Sequence, residues 1–189
     1  MSLEENENEF NHNNSAHYCF AGEHTHENIL YGKTVIPEYS NDDIILGKLE
    51  EDNMMRLIMH EVGHTIGLRH NFSASYLYGP REVHDKNITG NTTISSIMDY
   101  DPINIAPPGL EQGNYFPTEP GEYDRWAVEF AYKPNLTDEE RAELLALSVL
   151  PAYRYGTDGD AMGTPGRNID PRTRRGERSL GDLYQGRFG

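Results

Sequence analysis

Apolar positions along this chain change spacing several times, and each spacing predicts a different kind of element. Residues 1–16 are Glu, Asn and His with almost no apolar content, and they read as a disordered or cloning-derived leader. Tyr18-Cys19-Phe20-Ala21, Ile29-Leu30-Tyr31 and Val35-Ile36 are short apolar runs of strand size. Gly32 and Pro37 interrupt that pattern. Asp42-Asp43 followed by Ile44-Ile45-Leu46 fits either a strand or the lead-in to a helix. From about Glu50 or Asn53 to Ile66 the spacing turns helical, with Met54, Leu57, Ile58 and Ile66 at packing positions and Asp52 or Asn53 as the cap.

The connection 71–94 is rich in Asn, Ser, Thr and Gly, and Tyr76-Leu77-Tyr78-Gly79-Pro80 breaks any helix there. A loop of that length inside a compact domain usually has a task, here the walling of a cleft. Pro102, Pro107, Pro108, Pro117 and Pro120 make 101–121 extended and irregular. Tyr123–Tyr132 reads as a helix burying Trp126, Ala127 and Phe130. Thr137 and Glu140 form a capping box ahead of a helix Arg141–Leu150, which Pro151 ends. Beyond Tyr155, Gly, Asp, Pro and Arg dominate; Arg167, Arg172, Arg174, Arg175, Arg178 and Arg187 make the segment locally basic. The expected division is therefore a leader at 1–16, a folded unit at 17–154, and a loosely structured segment at 155–189 belonging to a larger protein.

The chemistry is concentrated in His60-Glu61-Val62-Gly63-His64-Thr65-Ile66-Gly67-Leu68-Arg69-His70. Side chains four apart share one helix face, so His60 and His64 can grip one ion. Glu61, next to the first ligand, can reach a water held by that ion. Gly67 lets the chain leave the helix through a positive φ and swings His70 back as a third ligand. Three histidines leave one tetrahedral corner open, as a catalytic zinc site requires.

Downstream stands Ser95-Ser96-Ile97-Met98-Asp99-Tyr100. Together the two stretches resemble the metzincin clan of zinc peptidases, and 95–100 is similar to its Met-turn. The wording around them, with Gly121-Glu-Tyr-Asp-Arg-Trp-Ala-Val-Glu-Phe-Ala-Tyr132, is most similar to a bacterial group of large metzincins. The resemblance implies an α+β, zincin-like fold: a small N-terminal mixed sheet, the active-site helix, the Met-turn and C-terminal helices. It also implies Zn²⁺ on His60, His64 and His70, Glu61 as general base, and Met98 packed beneath the ligands. Tyr100, two residues past Met98, would steady an oxyanion; the plainer reading is a core tyrosine. Asn71, directly after the third ligand, would pin the turn. The setting implied is extracytoplasmic or secreted, although this chain shows no signal peptide. Only 59 residues precede His60, short for a full sheet subdomain.

Composition narrows the partners. A formal net charge of −15 argues against nucleic acid or anionic membranes. No apolar run approaches the roughly 20 residues of a membrane span. The one cysteine, Cys19, cannot form an internal disulfide and reads as a small packing residue, with capping of the zinc as the sharper alternative. His24 and His26 could form a second metal pair or simply face solvent in a polar loop. Asp158-Gly159-Asp160 hints at calcium without the remaining ligands of a calcium loop. Asn71-Phe72-Ser73 and Asn87-Ile88-Thr89 match the glycan acceptor pattern, which arises by chance in an Asn-rich chain. The expected partner is a peptide or protein substrate, with further contacts to missing domains of a larger chain. The competing readings are a catalytically silent zinc-containing binding or adhesion domain, and a zinc amidase on a non-protein substrate.

Overall fold

The computed structural model describes residue 19, residues 21–36 and residues 43–157. The expected leader, the Asp158-Gly159-Asp160 hint and the arginine-rich stretch from Arg167 onward lie outside the described residues, as do Tyr18 and Phe20. Five α-helices organise the rest: α1 Ala21–Val35, α2 Asp43–Thr65, α3 Lys86–Thr89, α4 Glu122–Tyr132 and α5 Asp138–Ala146. Single 3-10 turns cover 74–76, 82–84, 147–149 and 151–153. No strand occurs among the described residues.

The N-terminal strands expected at Ile29-Leu30-Tyr31 and Val35 are therefore corrected to the helix α1. Short apolar runs suggested strands, but the residues α1 buries are Ala21, Thr25, Asn28 and Gly32, spaced four, three and four apart. That is a helical stripe built from small and polar side chains, which a search for apolar periodicity passes over. Glu23 in the first turn and Lys33 in the last suit the helix dipole. Where α1 crosses α2, a Cβ on Gly32 would stand 3.0 Å from Ile103 Cδ1 and 3.4 Å from Leu49 Cδ2. The close approach uses the missing side chain. Ile36, Leu49, Ile103 and Phe116 form the core at this crossing, with Ile29, Tyr31, Leu46, Ile105 and Tyr115 packed around them.

α2 begins at Asp43, earlier than the Glu50 or Asn53 that the sequence suggested, and the proposed caps lie inside it. Asp52 pairs with Lys48 one turn back. Asn53 is fully buried and donates from Nδ2 to the Thr25 carbonyl, 2.8 Å. The helix also turns the expected face outward. Met54 (51% exposed), Ile58 (56%) and Val62 (52%) face away from the core, while Asn53, Arg56 and His60 are at 0%. Arg56 bonds Asp101 Oδ1 (3.2 Å), Thr25 Oγ1 (3.1 Å) and Asn53 Oδ1 (3.3 Å). This buried polar spine ties α1, α2 and the chain after Tyr100 into one frame.

The connection 71–94 is not structureless: it holds two 3-10 turns and α3, capped by Asp85 accepting from Asn87 N. Residues 101–121 are irregular, as the prolines require. α4 half-buries Trp126, Ala127 and Phe130 rather than fully burying them. The Thr137–Glu140 capping box is present, Glu140 N to Thr137 Oγ1 at 3.2 Å and Thr137 N to Glu140 Oε2 at 2.9 Å. α5 ends at Ala146, short of the expected Leu150, and continues as a 3-10 turn. Trp126 Nε1 donates to the Leu144 carbonyl at 2.7 Å and locks α4 to it.

Candidate metal centre

The last turns of α2 carry His60, Glu61 and His64 on the helix itself. Gly67 has φ +88°, so the exit through a left-handed residue holds. Gly67 N donates to the His64 carbonyl (3.0 Å) and Leu68 N to the Gly63 carbonyl (2.9 Å). These are the paired bonds of a Schellman cap, and they reverse the chain so that His70 comes back over the helix. Tyr132 Oη adds a bond to the Ile66 carbonyl at 2.5 Å.

The three imidazoles converge. His60 Nδ1 is bound to the Ile97 carbonyl (2.7 Å) and His64 Nδ1 to the Leu68 carbonyl (3.0 Å). A carbonyl only accepts, so both rings carry their proton on Nδ1 and present a bare lone pair at Nε2. Yet His64 Nε2 and His70 Nε2 stand 3.1 Å apart. Zn–N bonds of about 2.0–2.1 Å place two ligands of a tetrahedral site about 3.3–3.4 Å apart. That separation suits a cation shared by the two rings, and equally a hydrogen bond from His70 Nε2 to the bare His64 Nε2. Burial pushes His60 down to about 3, the Ile97 carbonyl pulls the other way, and neighbouring His64 and His70 push it down further. Neutral imidazole is the form a metal takes.

Against α2 the chain turns at Ile97 and Met98, and Met98 is fully buried. A Cβ on Gly63 would collide with Met98 Sδ, so α2 rests directly on that thioether. The turn is fastened by Asp124, buried at 2%, which accepts from Ser96 Oγ (2.5 Å), Ile97 N (2.9 Å) and Gly121 N (2.9 Å). Burial raises the pKa of its carboxyl, against the pull of those donors. Nothing local in the sequence marked Asp124 as the fastener; it acts across 27 residues. A Cβ on Gly121 would strike the Ser95 backbone, which is why the residue before α4 is glycine.

Tyr100 is buried, its Oη 3.0 Å from His70 Nε2 and its ring 5.0 Å from that of His24. His24 thus faces Tyr100 from α1 while His26 is exposed, and the two do not pair. Asn71 does more than pin a turn. Its Oδ1 accepts from Gly156 N (2.9 Å) and its Nδ2 donates to the Arg154 carbonyl (2.9 Å). Glu61 is exposed at the edge of the cluster.

Cys19, expected to pack or to cap the zinc, stands half-buried beside the histidines. Its Sγ lies 3.3 Å from His60 Nε2 and 3.3 Å from Glu61 Oε1. The donor atoms of Cys19, His60, His64 and His70 all fall within 4.8 Å of one another. Burial pushes the Cys19 thiol up, while a bond from Tyr100 works against it. The donor set of imidazole and thiol is the chemistry zinc selects.

The profile of one known family, Met-zincin, matches residues 46–182, well over half of the chain. The chain belongs to the Met-zincin family. The Met-zincin match gives it a zincin-like fold and makes it a zinc metalloprotease-like domain with a histidine-rich site able to hold a metal. No curated protein and no solved structure matches the chain. No helix among the described residues of this Met-zincin is long and apolar enough to cross a membrane.

Proposed function

We propose that this Met-zincin domain is a zinc endopeptidase that hydrolyses peptide bonds. The observation that carries the reading is the convergence of the His60, His64 and His70 ring nitrogens beside a carboxylate, Glu61, on the adjoining helix position. His60, His64 and His70 would hold the ion. Zinc, when bound, supplies Lewis acidity, lowering the pKa of a water to about 7 and polarising a carbonyl.

The rest is the work of this chain. Glu61, facing solvent at the rim, takes the proton of the attacking water and passes it to the leaving amine nitrogen. Tyr100 Oη, 3.0 Å from His70 Nε2, would donate to the developing oxyanion. Met98 and Asp124 act as positioning residues: they fix the floor on which the ligands sit. The exposed rim, away from the buried polar spine, is where an extended peptide would enter, in an extracytoplasmic setting.

The test is a peptide library incubated with the protein, with and without chelator, alongside Glu61→Gln. Chelator-sensitive cleavage is expected. Glu61→Gln should keep one zinc per chain and lose about 10²–10⁴-fold in turnover, the usual worth of a general base. Near-wild-type cleavage by that variant removes Glu61 from the role. Zinc bound without cleavage of any peptide selects the binding-domain reading, and cleavage confined to non-peptide amides selects the amidase.

A further inference from the structure

The geometry points to Cys19 as a fourth zinc ligand, so that the folded domain holds a closed His3Cys site whose free corner is taken by its own thiol. The inference rests on the zinc reading above and deepens it. Three independent placements carry it. Cys19 Sγ lies 3.3 Å from His60 Nε2. With Zn–S of about 2.3 Å and Zn–N of about 2.0–2.1 Å, sulfur and nitrogen ligands of a tetrahedron stand about 3.6 Å apart. The thiol also reaches the groups the chemistry needs, donating to Glu61 Oε1 at 3.3 Å and accepting from Tyr100 Oη at 3.5 Å.

Finally, the helix that follows Cys19 is itself braced against α2. Cys19 stands two residues ahead of α1, whose Thr25 is bonded to both Asn53 and Arg56 of the metal-bearing helix. On coordination the thiol proton leaves to solvent and sulfur binds as thiolate. A site with four protein ligands has no corner for a substrate carbonyl. The same side chain occupies that corner and engages the general base, so substrate entry requires Cys19 to withdraw. Its half-exposed position gives it a direction in which to go.

X-ray absorption on the zinc-loaded full chain reads this without reference to activity. The expected first shell is three nitrogens with one sulfur at about 2.3 Å. In Cys19→Ser and Cys19→Ala, at one zinc per chain, the sulfur shell is lost and nitrogen or oxygen replaces it. Alkylation of Cys19 by iodoacetamide should be slower in zinc-loaded protein than in metal-free protein. Zinc bound at one per chain with no sulfur in the wild-type shell overturns the fourth ligand and leaves the three-histidine centre standing. Failure to take up zinc at all overturns both.

Discussion

The two sides of α2 contradict each other and the usual rule of burial. The inner side, at 49, 53, 56, 60 and 63, repeats at the spacing of a packed helix, yet between Leu49 and Gly63 it carries Asn, Arg and His. The outer side carries Met54, Ile58 and Val62, all more than half exposed. Buried polar groups are tolerated where each finds a partner. Here the partners are specific: Arg56 with Asp101, Asn53 with the Thr25 carbonyl, His60 with the Ile97 carbonyl. The polar inner face holds the His60 ring in one direction, and a polar network fixes direction in a way that dispersion contacts do not.

Asp101→Ala should break this contrast most severely. It leaves Arg56, at 0% side-chain exposure, without its carboxylate. Truncating one partner of a buried pair costs about 3–5 kcal/mol, read as a fall in the urea midpoint. A loss under roughly 1 kcal/mol, the range of an exposed pair, would mean the spine is wetter than its burial indicates.

The next effect follows from pH in metal-free protein. Burial holds His60 near 3, whereas the unfolded chain takes its proton at about 6.5. Below that value the unfolded chain binds more protons, so stability is full above it. Stability then falls as pH drops toward 3, by up to about 1.4 kcal/mol per unit for one proton. Denaturation midpoints that stay flat through this window would show that His60 is not held neutral.

Gly63→Ala should cost about 1–3 kcal/mol by overpacking, since the new methyl meets Met98 Sδ. The cost should shrink when paired with Met98→Ala, whereas Met98→Leu alone should stay below about 1.5 kcal/mol. Ile58→Ser on the outer side should change stability by less than about 0.5 kcal/mol. A drop as large as that of Asp101→Ala would show the outer face to be covered in the working protein.

The histidine cluster was legible because its geometry is local. His60, His64 and His70 lie within one helix end and one turn, and Gly67 marks the reversal. The Thr137–Glu140 cap was legible for the same reason. What escaped depends on distance along the chain. Cys19 meets His60 across 41 residues and Asp124 meets Ile97 across 27, and no spacing rule joins them. α1 was mistaken for strands because its buried stripe is Ala, Thr, Asn and Gly. The inner face of α2 was misassigned because function placed polar residues where periodicity seeks apolar ones.

The clasp on Asn71 bears on when the domain could capture the proposed ion. The residue beside His70 is held by Gly156, 85 positions later, and Phe72 N bonds the Gly156 carbonyl at 2.9 Å. A nascent chain grows from its N-terminus at about 5–20 residues per second. His60 and His64 therefore emerge seconds before the anchor for His70 exists. On the proposed zinc reading, loading would then be a late event, timed by the arrival of the far end of the fold.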